Sequence, residues 1–301
     1  MKSKIIIGTR GSKLAITQTN MVIDELRSKY PSLEIEVKII KTTGDKILDK
    51  SLSKIGGKGL FIAEIEDNLK NNNIDLAVHS MKDVQNVVLK EFEILSVLKR
   101  EDPRDALISK NELTIEKLPK GAVIGTSSLR RMVQIGKLRP DLEFKLLRGN
   151  IDTRIKKMLN GEADAIILAA AGLKRMGWEK NISQYIDIHK CIPSVGQGAL
   201  CVEFRRGDMD VKSIVNTLVD EIEFKCILSE RAFLREMNGG CSIAIGAHAT
   251  VSNDKIELEG FVCDDNNTTI FKSETTGSIN DYENIGIELA RKLKGLLEGG
   301  K

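Results

Sequence analysis

No stretch of the 301 residues approaches about 18 consecutive apolar side chains, so a membrane-spanning helix is not expected. The start, Met1-Lys2-Ser3-Lys4-Ile5-Ile6-Ile7-Gly8, is basic, but three consecutive apolar residues are too few for a secretory-signal core. Cysteine is sparse and odd in number: Cys191, Cys201, Cys226, Cys241 and Cys263, with no C-x-x-C pair. A disulfide framework or zinc site is therefore not expected, and reduced thiols in the cytoplasm are. Only three histidines occur (His79, His189, His248), none in an H-E-x-x-H arrangement, so no metal site is expected. Neither G-x-x-x-x-G-K-[ST] nor G-x-G-x-x-G is found, which removes the common nucleotide-phosphate fingerprints. The chain also lacks a charge excess: Lys+Arg 46 against Asp+Glu 43 leaves +3, without the basic surplus of a nucleic-acid-binding domain.

What is present is a foldable composition, 41% apolar and 30% charged. At roughly 100–200 residues per domain the chain holds two or three domains. The positive charge is unevenly divided, with 31 lysines and 15 arginines, seven of the latter between Arg104 and Arg175. Arginine suits fixed, bidentate recognition of carboxylate or phosphate, so its placement carries more information than the net charge.

The first half alternates short β-rich runs with amphipathic stretches. Residues 5–9 read as a strand, 12–29 as a helix, 35–40 as a strand, 61–69 as a helix and 76–79 as a short buried strand. The plan then restarts. Ala122-Val-Ile-Gly-Thr126 echoes Ile5-Ile-Ile-Gly-Thr9, a helix runs to Leu138, a strand covers 143–147, and residues 162–169 parallel residues 73–80. Two similar α/β domains facing each other follow from this repetition. The charged, proline-containing 99–105 stretch reads as the crossing between them, and 192–198 as the return, with strand 199–204 rejoining the first domain. A long helix from 221 to about 237, strands at 247–251, 255–262 and 268–275, and a closing helix at 282–297 make a third, smaller α+β domain.

Two strand ends run into helices through small residues, Gly8-Thr9-Arg10-Gly11-Ser12 and Gly125-Thr126-Ser127-Ser128. Such turns present backbone N–H groups at a positive helix terminus, a ready anion site; simple N-capping by Ser12 or Ser128 is the alternative. Arg10 in one turn, and Arg130 and Arg131 in the first turn of the other helix, work against the helix dipole unless they meet an anion. Arg148, Arg154 and Arg175 also fall at or just beyond strand ends, where ligands of doubly wound sheets bind. Lys82 and Asp83 follow a strand end as well, either as a surface pair or as the one acidic group placed to meet a developing positive charge. Residues 46–59, lysine- and glycine-bearing without periodicity, read as a lid or as a surface loop. Cys241, after Gly239 and Gly240, is expected in a loop, whereas Cys201 and Cys226 read as small core residues.

Taken together these segments resemble the porphobilinogen deaminase (hydroxymethylbilane synthase) family. The resemblance runs through Gly8-Thr-Arg-Gly-Ser12, Asp45, Gly57-Lys-Gly-Leu-Phe61, His79-Ser-Met-Lys-Asp-Val84, Arg100-Glu-Asp-Pro-Arg-Asp105, Gly125-Thr-Ser-Ser-Leu-Arg-Arg131, Leu147-Arg-Gly-Asn150, Pro193-Ser-Val-Gly-Gln-Gly198 and Gly239-Gly-Cys-Ser-Ile-Ala-Ile-Gly246. Gln85 and Ala244 stand where the family usually has proline. The resemblance implies two doubly wound, periplasmic-binding-protein-like α/β domains (1–98 with 199–216, and 104–193) and a small α+β C-terminal domain (220–301). It implies a transferase that polymerises four porphobilinogen molecules head to tail, with release of ammonia, on a dipyrromethane cofactor held by a thioether to Cys241. Asp83 would be catalytic. Lys82, Asp83, Thr126, Ser128, Arg130, Arg131 and Arg148 would surround the cofactor, and Arg10, Ser12, Arg148, Arg154, Arg175 and Gln197 the substrate. Lys54, Lys58 and Phe61 would belong to the lid. The chain would work as a monomer on the small molecule porphobilinogen, with no nucleic-acid or membrane partner. The rival reading is a non-catalytic anion-binding module of two lobes, as in solute-binding proteins, which leaves the third domain and Cys241 without a purpose.

Overall fold

The computed structural model describes residues 2–43, 62–237 and 243–299. Its first elements are β1 (Lys4–Arg10), α1 (Lys13–Lys29), β2 (Glu34–Ile40), α2 (Ala63–Lys70), β3 (Leu76–Ser80) and β4 (Phe92–Val97). There follow β5 (Asp105–Ser109), β6 (Val123–Gly125), α3 (Leu129–Leu138), β7 (Glu143–Lys145), α4 (Ile151–Leu159), β8 (Ala165–Ala169), α5 (Ala170–Arg175) and β9 (Gln184–Tyr185). The remainder is β10 (Leu200–Arg205), α6 (Met209–Asn216), α7 (Glu221–Glu236), β11 (Ile245–Ser252), β12 (Lys255–Cys263), β13 (Ile270–Ser278) and α8 (Tyr282–Gly299). Two compact units result, Met1–Arg100 with Ala199–Phe224, and Glu101–Gly198 with Lys225–Lys301. Among the described residues no helix is long and apolar enough to cross a membrane.

The first unit carries a five-stranded sheet in the order β2-β1-β3-β10-β4. β1 lies parallel to β2 and β3, while β10 runs antiparallel to both β3 and β4. Side chains of a strand alternate between faces, so one strand can serve two cores. Ile5 and Ile7 of β1 pack with Val22, Ile23 and Leu26 of α1 and Val211, Ile214 and Val215 of α6, whereas Ile6 joins Ile65 and Leu69 of α2 on the other face. The sheet is thus covered on both sides, the arrangement expected of a doubly wound α/β unit.

The second unit repeats the plan with β7-β6-β8-β5-β9. Leu107 of β5 and Ala165 and Ile167 of β8 face α3 through Ile135; the alternate residues Ala106, Ile108, Ile166 and Leu168 face α4 and α5 through Met158 and Leu173. The repetition extends to single hydrogen bonds. Asp75, just ahead of β3, accepts from Ile6 N–H at 2.8 Å and donates its own N–H to Ile6 O at 2.7 Å. Asp164, just ahead of β8, does the same with Val123, at 2.8 Å in each direction. In both sheets the aspartate locks the start of the third parallel strand against the first. The antiparallel strand beside it is in each case the first strand after the chain enters the unit, β10 after Gly198 and β5 after Arg100.

A three-stranded antiparallel sheet, β11-β12-β13, completes the second unit. Phe233 of α7 and Ile285, Leu289 and Leu293 of α8 pack on Ala247, Ala249, Ile256 and Leu258. Two sequence expectations shift here and in the preceding sheet. β7 stops at Lys145 rather than 147, since the chain turns through Arg148-Gly149, where Gly149 has φ 115°. β13 begins at Ile270 rather than 268, because the Asp264 carboxylate accepts from Thr268 N–H (2.7 Å), Thr269 N–H (3.1 Å) and Thr268 Oγ1 (2.7 Å), and so holds both threonines in a turn. Ala244, where the resemblance leads one to expect proline, uses the N–H that proline lacks to donate to Asn267 Oδ1 at 3.0 Å.

The helix pair α7–α8 is tightest at Gly286, where an added Cβ would lie 2.3 Å from Ser229 O and 2.7 Å from Phe233 N. Both are backbone atoms that cannot swing aside. Gly286→Ala is therefore expected to destabilise the protein by about 1–3 kcal/mol, overriding the better helix propensity of alanine. Thermal unfolding checks this: a melting temperature at or above that of the parent would contradict the close approach.

Candidate active site

In the first unit the carboxyl ends of β1 and β3 share one edge of the sheet, because Ile7 pairs with Leu76 and Gly8 with Ala77 in parallel register. Arg10 ends β1 and is partly buried. Ser12 N-caps α1, its Oγ accepting from Ala15 N–H at 3.3 Å. The strand beneath is pinned by a hydroxyl pair, Thr19 Oγ1 donating to Thr9 Oγ1 at 2.8 Å, out of contact with water. β3 ends at Ser80, whose hydroxyl accepts from Gln18 Nε2 at 2.9 Å, and a single 3-10 turn, Met81–Asp83, follows. Met81 is buried and donates its N–H to Ala199 O at 3.0 Å. That anchor fixes the turn and leaves the Lys82 and Asp83 side chains exposed beyond the strand end.

Behind this turn lies a set of titratable groups. His79 Nε2 is 3.1 Å from Glu203 Oε2, with both residues buried, and the Glu66 carboxyl of α2 is pushed up to about 7 by burial and by the charge of Glu203, with His79 working the other way. His79 and Glu203 belong to neighbouring strands, β3 and β10.

In the second unit β6, β7 and β8 are parallel, so their ends again share an edge. Thr126 is buried at the end of β6, and its hydroxyl accepts from Ser128 N–H at 3.2 Å. Ser128 is the N-cap residue of α3 but makes no side-chain cap bond. Arg148 follows β7 and is partly buried; Arg154, in the first turn of α4, donates from Nε to Gly149 O at 2.8 Å. An added Cβ at Gly149 would lie 2.7 Å from Thr153 Cγ2, so glycine keeps this turn tight against α4. Arg175 ends α5 and donates from Nη2 to Gly198 O at 2.6 Å. Its Nε is buried without a hydrogen-bond partner among the described residues, and burial lowers the guanidinium to about 10, partly opposed by Glu101.

Arg130 and Arg131, expected from the sequence to meet an anion, meet one from the chain itself. Both are buried, and both are turned onto Asp105, the first residue of β5. Arg130 Nη2 donates to Asp105 Oδ2 at 2.6 Å; Arg131 donates to Oδ1 from Nε (3.0 Å) and Nη2 (2.7 Å). The anion that offsets these cations at the positive end of α3 is in part the chain's own. Gln197 Nε2 donates to the same Oδ1 at 3.0 Å and to Pro103 O at 2.7 Å, so it joins this cluster. The 193–198 loop that carries Gln197 is held by buried Glu230 of α7, which accepts from Gly196 N–H (2.7 Å) and, on β11, from Ala249 N–H (2.9 Å).

Sequence reasoning missed Asp105 and Glu230. Asp105 appeared there as the end of a charged crossing and of the motif Arg100-Glu-Asp-Pro-Arg-Asp105, with no role given to it, although a single acid opening the apolar run Ala106-Leu107-Ile108 was a signal of a buried carboxylate. Cys191, Cys201, Cys226 and Cys263 are all buried. Cys241, Asp45 and the lid residues Lys54, Lys58 and Phe61 lie outside the described residues.

The chain matches two family models, "Porphobilinogen deaminase, dipyromethane cofactor binding domain" over residues 5–213 and "Porphobilinogen deaminase, C-terminal domain" over residues 224–295. It is 49% identical over 296 residues to the porphobilinogen deaminase of Shouchella clausii strain KSM-K16, covering 98% of this chain and 93% of that one. It is 48% identical over 288 residues to that of Bacillus subtilis strain 168 (95% and 91% covered), and 45% identical over 298 residues to that of Geobacter sulfurreducens (99% and 93%). Among solved structures it is similar to the Lactococcus lactis GlnP substrate binding domain 2, at 12% identity and a TM-score of 0.45 over 72% of this chain and 88% of that one.

The acid cluster of the first unit makes a pH dependence testable. Folded Glu66 titrates near 7, above an unfolded glutamate near 4.3, so the folded state holds a proton through that window and stability falls as pH rises across it. Glu203 and His79 face the group from the sheet, and Asp67 and Glu91 add negative charge nearby. Glu66→Gln, which mimics the protonated form, is expected to melt higher than the parent at pH 8, with the gap narrowing towards pH 5. A gap that is constant or widens towards acid would contradict the assignment.

Proposed function

The chain belongs to the porphobilinogen deaminase family and polymerises four porphobilinogen molecules into hydroxymethylbilane on a covalently bound dipyrromethane, releasing ammonia, and from this premise we propose how its residues divide the work. The second unit holds the carboxylates of the cofactor and growing chain. Each pyrrole carries an acetate and a propionate, so anionic charge accumulates as units are added. Thr126, Ser128, Arg148 and Arg175 follow the parallel strands β6, β7 and β8, and Arg154 reinforces the turn after β7. The observation that carries this assignment is the Arg175 Nε: a buried charged donor without an acceptor is unfavourable, and a carboxylate oxygen would satisfy it.

The first unit supplies the chemistry of condensation. Asp83 stands on a turn fixed by buried Met81, exposed and next to Lys82. Its carboxylate accepts hydrogen bonds from pyrrole N–H groups, stabilises the cation left when porphobilinogen loses ammonia, and takes up a proton at Oδ. Lys82, Arg10 and Ser12, beside it on the edge shared by β1 and β3, hold the incoming unit's carboxylates. The dipyrromethane, when bound through Cys241, supplies the pyrrole carbon at which the chain is extended. Arg130, Arg131 and Gln197 act on the carboxylates from within the Asp105 cluster. The same reading has the chain acting in the cytoplasm as a monomer, with a small-molecule substrate and no nucleic-acid or membrane partner; the net charge of only +3 lacks the basic surplus of a nucleic-acid-binding domain.

Intact-mass measurement tests the reading directly. Wild-type protein should carry two added pyrrole units and Cys241→Ser protein none; a bare wild-type mass would overturn it. Asp83→Asn should keep the added mass and lose about 10²–10³-fold in turnover, since the amide keeps the shape and loses the charge. Turnover near that of the parent would remove Asp83 from the catalytic role.

A further inference from the structure

Asp105 accepts five hydrogen bonds among the described residues and takes no part in the reaction as derived above. It is fully buried and accepts from Arg130 Nη2, twice from Arg131, from Gln197 Nε2, and from the Cys191 thiol at 3.4 Å. A carboxylate has roughly four lone-pair sites, so both oxygens are saturated and no further ligand can bind them. Whatever Asp105 does for a ligand, it does through its arginines.

The charges in this cluster do not balance. Two guanidinium groups meet one carboxylate, which the neighbouring cations hold well below the usual carboxylate range, so it is ionised at any working pH. The other partners are neutral: Ile192 O at 2.7 Å and Ser194 Oγ at 3.0 Å for Arg130, and Ile167 O at 2.9 Å for Arg131. Cys191 adds no negative charge, because burial and Asp105 push its thiol up to about 12. Among the described residues one positive charge is left over, at a helix end whose own dipole is positive. Donors are left over too. Of five N–H bonds on each guanidinium, those named here and the Arg130 Nη1 contact to Cys191 Sγ at 3.5 Å leave one on Arg130 and two on Arg131 without a partner among the described residues. A buried surplus charge with spare donors is unfavourable unless an anion meets it.

We propose that Asp105 is a positioning residue for the dipyrromethane: it fixes the Arg130 and Arg131 guanidiniums and trims their charge to a surplus of one, matched to a single cofactor carboxylate. This rests on the reading that the second unit holds the cofactor. It also gives Gln197 a second task, since its amide orients the same carboxylate that orients the arginines.

The test reads the fraction of purified protein carrying the cofactor, by intact mass, alongside thermal unfolding. Arg130→Gln makes the cluster neutral and Asp105→Asn doubles its surplus; each should lower the loaded fraction roughly ten-fold, the loss expected of one charge-assisted bond. The Asp105→Asn, Arg130→Gln double variant restores a surplus of one, and the amide oxygen it retains still accepts from Arg131. Its loaded fraction should exceed that of both single variants. A merely structural Asp105 would move the melting temperature and leave the loaded fraction of folded protein unchanged, which overturns the proposal. So does a double variant that loads no better than Arg130→Gln alone, whether or not it melts lower. Failure of the underlying reading looks different, because the wild type itself would then carry no added mass.

Discussion

The buried carboxylate of Asp105, shared by two guanidinium groups, is the interaction on which the second unit is organised. Taking any of these three charges out of water carries an effective penalty of several kcal/mol per ion, which the lone pairs of the shared carboxylate and seven of the ten guanidinium N–H bonds offset by finding partners. Those partners come from separate segments. Asp105 opens β5, the arginines lie in the first turn of α3, Ile167 belongs to β8, and Cys191, Ile192, Ser194 and Gln197 belong to the stretch that leads back to β10. Removing Asp105 leaves two guanidinium groups facing each other in the core, and that links these segments more strongly than apolar contact alone. It also decides the charge that the N-terminus of α3 presents.

The two sheets show how one backbone plan is given two chemistries. Asp75 and Asp164 make the same pair of bonds at the start of the third parallel strand, and each sheet places its antiparallel strand in the same slot. At the far edge the side chains diverge. In the first unit β3 leads into a single 3-10 turn that ends at Asp83; in the second β8 leads into α5, which ends six residues on at Arg175. The strand end positions a group and the residue chosen there decides whether it is an acid or a base, so fold and function separate cleanly. The small C-terminal sheet enters the same logic through Glu230, which ties α7 and β11 to the loop bearing Gln197.

Much of this was legible before any coordinates. Apolar runs located β1, β2, β3 and β10 in one sheet and β6, β7 and β8 in the other, though not β4, β5 or β9; Ser12 announced a helix start that it does cap, and the repetition of residues 73–80 in 162–169 reflects an aspartate lock present in both sheets. Legibility failed where a single long-range bond decided the outcome. Thr268 and Thr269 have the propensity of strand residues, yet the Asp264 carboxylate holds them in a turn. Glu203 lies 124 residues from His79 and 137 from Glu66 along the chain, and nothing local in the sequence signals that the His79–Glu203 pair stands beside Glu66 and that Glu203 helps to raise it.

The sequence by itself determined the element types, their order, and which residues stand at strand ends, because these follow from periodicities of two and 3.6 and from capping chemistry that acts within a few residues. Through its motifs it also determined the family. Only the tertiary structure decided what the arginines face. Arg130 and Arg131, read from sequence as part of an anion site, are folded onto Asp105, while Arg175 keeps a buried N–H without a partner among the described residues. Charge pairing depends on distance and dielectric in three dimensions, and those are set by which strands lie side by side, not by separation along the chain.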